Sequence, residues 1–96
     1  MTAPARPPVA LAIRGPIARA DLPGLCDRVC ALLATSGARI VLCEVGGVEP
    51  DAVTVDALAR LQLAARRAGC RVRLRNTSAE LRELVAFLGL SDVLPE

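Results

Sequence analysis

The run Arg71-Val72-Arg73-Leu74-Arg75 alternates guanidinium and aliphatic side chains without a break. Successive side chains of an extended chain point to opposite faces, so three arginines line one face and Val72 and Leu74 the other. One side of such a strand must stay open to water. The run therefore predicts a sheet whose helices gather mainly on one face, not the two-sided cover of a doubly wound fold.

The remaining periodicities alternate between strand and helix. Val9 to Arg14 places Val9, Leu11 and Ile13 on one side of a half-buried strand that Gly15-Pro16 ends. Asp21 offers an N-cap and Pro23 fits a first helical turn. Leu22, Leu25, Cys26, Val29, Leu32 and Leu33 then recur at helical spacing as far as Gly37. Ile40 to Val45 is almost continuously apolar, as expected of a central strand buried on both faces, and Gly46-Gly47 ends it. A second helix runs from about Val55 to Ala68 with Gly69 as its stop, and the arginine strand follows. Thr77 and Glu80 have the spacing of a capping box for a third helix carrying Leu81, Leu84, Val85 and Leu88 before Gly89. Leu90 to Leu94 is expected to fold back on the core. The order is that of a small α/β domain over residues 9–96, preceded by a Pro- and Ala-rich arm, 1–8, read as flexible.

A chain of 96 residues supports one core, burying roughly 64% of its unfolded surface. It has no His, Lys, Trp or Tyr, and all 12 basic residues are Arg. Without His there is no Ser-His or Cys-His relay and no imidazole metal site; without Lys there is no Schiff base and no P-loop lysine. The net charge of +2 points to no polyanionic partner by itself. Arg60, Arg66, Arg67, Arg71, Arg73 and Arg75 nevertheless fall in a stretch without a carboxylate between Asp56 and Glu80. With Phe87 as the sole aromatic there is no stacking platform, which argues against nucleic acid and leaves a solvated face or an acidic protein as the use of that charge.

Val9 to Ile13 is too short for a signal-peptide core or a membrane span, so the sequence reads as a soluble cytoplasmic protein with reduced thiols. Of the 4 cysteines, Cys26 and Cys30 lie four apart on the core stripe expected for the first helix, where a thiolate is costly. That position argues against an enzyme using either thiol with Asp27. Cys43 and Cys70 stand alone on strands, so no metal set is formed and no cofactor is implied.

On the second helix, Leu58, Leu61, Ala65 and Ala68 form the expected core stripe at about 100° per residue. Leu63 falls opposite, beside Asp56, Arg60 and Arg67, with Val55 and Ala59 extending the outer strip. A small apolar strip with an acidic start and a basic end has the character of a docking surface, although a single exposed Leu needs no such explanation.

From Ile40 onward the chain resembles the later two thirds of a STAS domain, the fold of bacterial anti-anti-sigma factors (anti-sigma factor antagonists). Glu44 matches the acidic end of the family's apolar strand and Asp51 the Asp of its Asp-Ser-Ser-Gly-Leu type motif. Leu58 and Leu61 match the helix core, Arg66-Arg67-Ala68-Gly69 the helix end, and Leu88-Gly89-Leu90 the closing turn. The first strand and Gly15 also fit. The resemblance implies a small mixed β-sheet with helices mainly on one face.

It also implies a non-enzymatic regulatory module whose partner is an anti-sigma factor of the histidine-kinase-like ATPase type, contacted through Asp51, Val53, Thr54, Val55, Asp56 and Leu63. The departure from the family lies at its switch. Val53 occupies the usual position of the phosphorylated Ser and cannot accept phosphate. Thr54 is a weak substitute acceptor, displaced by one residue, and reads better as the helix N-cap. A second implication of the resemblance is a cytoplasmic STAS subunit that regulates a transporter ATPase of the lipid-transport ABC type, since some of those also lack the Ser.

Overall fold

A computed structural model describes residues 7–15 and 17–96. Three strands, β1 (Val9–Gly15), β2 (Ile40–Val48) and β3 (Arg71–Arg75), form a sheet in the order β1-β2-β3. The helices are α1 (Leu22–Ser36), preceded by one 3-10 turn at Arg19–Asp21, α2 (Ala52–Arg67) and α3 (Ala79–Phe87). Both strand pairs are parallel, so the described sheet is parallel throughout where a mixed one was expected; the α/β class holds. Of the expected arm, residues 1–6 lie outside the described residues, and Pro7 and Pro8 are exposed.

The one-sided cover follows from the topology. Crossovers between parallel strands are right-handed almost without exception, and two that step in the same direction lay their helices on the same face. Leu11, Ile13, Val41, Cys43, Val45, Val72 and Leu74 point into the core beneath α1 and α2. Their neighbours on the opposite face, Ala10, Ala12, Arg71, Arg73 and Arg75, are exposed, and Ile40, Leu42 and Glu44 are half-buried. The alternation of β3 is thus realised as read. β2 departs from its expectation twice: only one of its faces is sealed, and it continues through Gly46-Gly47 to Val48, leaving Glu44 within the strand. Across that stretch the pairing with β1 shifts register between Ala12 and Arg14.

Local chemistry sets the helix ends. Gly37 closes α1 at φ 70°, its N–H donating to the Leu33 carbonyl at 3.0 Å. Such a left-handed residue carries no steric cost only without a Cβ. The N-cap of α3 is Ser78, whose Oγ accepts from the Leu81 N–H at 3.1 Å, in place of the Thr77–Glu80 box. Beyond α3 the chain returns as expected, with Leu94 buried in the core. Its Pro95 carbonyl accepts from the Leu74 N–H at 2.9 Å, closing part of the outer edge of β3.

Candidate functional site

The segment Glu49-Pro50-Asp51 carries the chain from β2 into α2, at the carboxyl ends of the parallel strands, where open α/β sheets place their working loops. Asp51 is extended, and its Oδ1 accepts from the Thr54 N–H at 2.8 Å. Asp51 is therefore the N-cap, and α2 begins at Ala52, three residues earlier than periodicity alone places it. An acid at the start and Arg66 and Arg67 in the last turn also suit the helix dipole.

This start fixes which side chains face water. At about 100° per residue, Val53, Asp56, Arg60 and Leu63 fall within about 80° of one another. Val53 is 42% exposed and Leu63 54%, whereas Leu58 and Leu61 are completely buried. Asp56 accepts from Arg60 Nε at 2.9 Å, one turn on, so the outer strip is two aliphatic side chains flanking an ion pair. At its upper end, Arg19 and Leu22 join Val53, Asp56, Ala57 and Arg60 around a shallow cleft of about 260 Å³. Arg19 and Leu22 carry no sequence signal of this role, because only the packing of α1 against α2 brings them there.

Two of the expected surface residues are not on the surface. Val55 and Thr54 are fully buried, so neither can touch a partner in this fold. Val55 sits one turn before Leu58 on the core side of the helix, where i,i+3 neighbours meet. Thr54 donates its backbone N–H to the cap but is not itself the cap, and its Oγ1 has no hydrogen-bond partner among the described residues. A hydroxyl enclosed in this way is not presented to a kinase. Ala59 is half-buried, and Ala68, expected in the core, is exposed where the helix has ended. Asp51, Val53, Asp56 and Leu63 remain as the accessible members of the set.

On the sheet, Glu44 lies between the Arg75 guanidinium, at 3.7 Å, and the Asn76 amide. Asn76 has φ 56°, in the left-handed region, and its carbonyl approaches Gly46, where a Cβ would come within 3.4 Å of it. The thiols are distributed otherwise than expected. Cys26 is half-buried, and its pKa is raised, first by burial and then by Cys30 and Asp27. Cys30 is exposed, because the core stripe of α1 is Leu25, Val29 and Leu33 and Cys30 lies about 60° past its edge at Leu33. Among the described residues no group of three or more potential ligands is placed to hold a metal ion, and no helix is long and apolar enough to cross a membrane.

A family model described as "Mlab, STAS domain" matches residues 2–95, essentially the whole chain. No curated protein matches it.

Proposed function

The chain belongs to the STAS-domain family, whose members are generally non-enzymatic regulatory modules that bind other proteins, and on that premise we propose that it is a cytoplasmic adaptor docking through the outer face of α2. The observation that carries the proposal is the pair Val53 and Leu63. They are large aliphatic side chains left in water on a helix whose other large aliphatic residues are sealed in the core. The Asp56–Arg60 ion pair lies between them and Asp51 stands at the helix start, so the face combines exposed apolar ends with fixed charge, a mixture suited to a protein partner.

The partner class follows from the family resemblance: an anti-sigma factor of the kinase-like ATPase type, whose capture releases a sigma factor. In a relative with Ser at the position of Val53, phosphorylation adds roughly two negative charges at a helix start and changes the surface a partner meets. Val53 removes that control and makes the contact more apolar, which favours constant association. The same residue supports a second reading, a subunit held on a transporter ATPase, where a permanent contact needs no switch. Pull-down from the native host with wild type and Leu63→Glu side by side tests the proposal. The kind of ATPase recovered, one that binds a sigma factor or one that belongs to a transporter, distinguishes the two readings. An ATPase retained by wild type and lost by the variant supports docking through this face. Equal recovery by both removes Leu63 from the interface.

A further inference from the structure

Parallel sheets are ordinarily covered on both faces, because their crossovers supply helices and their strands are apolar. Here one face has no cover among the described residues. Strand register sets its pattern: Ala10 lies beside Leu42 and Leu42 beside Arg73, while Ile40 lies beside Arg71. The face is thus a row of small side chains at Ala10 and Ala12, a central row of half-buried Ile40, Leu42 and Glu44, and an outer row of guanidiniums. Arg75 pairs with Glu44, whereas Arg71 and Arg73 have no carboxylate partner among the described residues. The residues outside the described ones, 1–6 and Pro16, contain no Asp or Glu to supply one.

A surface of the opposite character stands on α3. Phe87, the chain's only aromatic residue, is 85% exposed, and Leu88 is 42% exposed. Glu80, Glu83, Leu84 and Phe87 fall within about 100° of one another around the helix, so two carboxylates and two apolar side chains share one stripe. Neither Glu80 nor Glu83 forms an ion pair among the described residues. The lengths also agree. The nine residues of α3 span about 13.5 Å, and Arg71 to Arg75 about 13 Å. A helix about 10 Å across rests on two strands spaced about 4.8 Å apart.

We propose that the α3 stripe of one copy of this chain docks on the open sheet face of a second copy, Glu80 and Glu83 meeting Arg71 and Arg73 while Phe87 packs on Ile40 and Leu42. The two patches are different surfaces of one molecule, so the contact is heterologous unless two copies exchange it reciprocally. It uses neither Val53 nor Leu63 and stands apart from the docking of α2. A patch of this size gives a weak association, detectable at roughly 0.1 to 1 mM.

Charge exchange tests it by sedimentation velocity of the full chain across that range, with circular dichroism confirming the fold of each variant. Wild type is expected to associate, less so at high salt. R71E/R73E alone and E80R/E83R alone are expected to remain monomeric, since each opposes like charges, and an equimolar mixture of the two is expected to associate again. Phe87→Ser, which leaves the net charge unchanged, is expected to weaken wild-type association by about tenfold. Wild type monomeric throughout the range, either charge variant associating as wild type does, or a mixture of folded variants that stays monomeric overturns the proposal.

Discussion

The side chain of Gln62 pairs with the backbone of Val72 as a neighbouring strand would: the Val72 N–H donates to Oε1 at 2.7 Å, and Nε2 donates to the Val72 carbonyl at 2.8 Å. The same Nε2 reaches the Val93 carbonyl at 2.8 Å, tying the returning chain end to the sheet. With Pro95 bonded to Leu74, the free edge of β3 is occupied by the protein itself, a safeguard against unwanted strand addition. Gln62→Leu fills the same space but strands the Val72 N–H and carbonyl in the core and takes a donor from the part-buried Val93 carbonyl. At about 1–3 kcal/mol for a stranded buried group, partly relieved by water, a loss of roughly 2–4 kcal/mol in urea unfolding is expected. A loss below about 0.5 kcal/mol would mean that the edge is not held by this amide.

Thr54 carries an enclosed hydroxyl without a partner. Replacing it with the near-isosteric Val removes a desolvated polar group at no cost to packing. Thr54→Val is therefore expected to be neutral or to stabilise by about 1 kcal/mol. Thr54→Asp, which mimics phosphorylation there, buries a charge and is expected to destabilise by several kcal/mol. Thermal unfolding of the two variants checks both signs, and a well-folded Thr54→Asp would reopen this position as a modification site.

Thiol labelling reports the placement of the cysteines. Cys30 is exposed, Cys26 half-buried, and Cys43 and Cys70 buried. On the native protein, one fast modification at Cys30 is expected, a slower one at Cys26, and none at Cys43 before unfolding. Peptide mapping after brief alkylation identifies them. Early modification of Cys43 would be incompatible with the core described here.

Burial pushes the Cys43 thiol up to about 11 from an ordinary 9.0. A raised folded-state pKa means that the unfolded chain ionises first as pH rises. The contribution of Cys43 to stability is thus intact below pH 9.0 and is lost progressively toward about pH 11. Cys43→Val, of similar volume, is expected to flatten this alkaline decline in urea midpoints measured between those limits. An unchanged slope would assign the decline to another group.

What the sequence discloses here depends on whether one-dimensional spacing carries the information. The face of β3 was legible because a period of two admits one arrangement of Arg71, Arg73 and Arg75. Leu63 was legible because a helical period sets it opposite Leu58. The helix start was not: Thr54 and Asp51 are both good caps, and only the hydrogen bond from the Thr54 N–H to Asp51 decides between them. That shift of three residues carries Thr54 to the inside. Val55 was placed on the outer strip both by the helical reading that set it with Ala59 and by family likeness. Yet it lies three residues before Leu58 and within about 60° of it, and the structure buries it with the core stripe. Cys30 sits at the border of its helix stripe, where periodicity discriminates poorly. Gln62 gives no signal at all, since hydropathy counts it as polar while its partners, Val72 and Val93, lie on other elements. The parallel direction of the strands is likewise a property of connections, not of any strand's own residues.

Docking of a partner protein on the α2 face at Val53, as proposed, is tested most directly by calorimetry with the protein that the wild-type chain recovers from the native host. A charge at position 53 would have to be desolvated on docking, so Val53→Asp is expected to weaken binding by at least about tenfold while leaving the thermal midpoint nearly unchanged. Equal affinity for wild type and Val53→Asp would contradict the account.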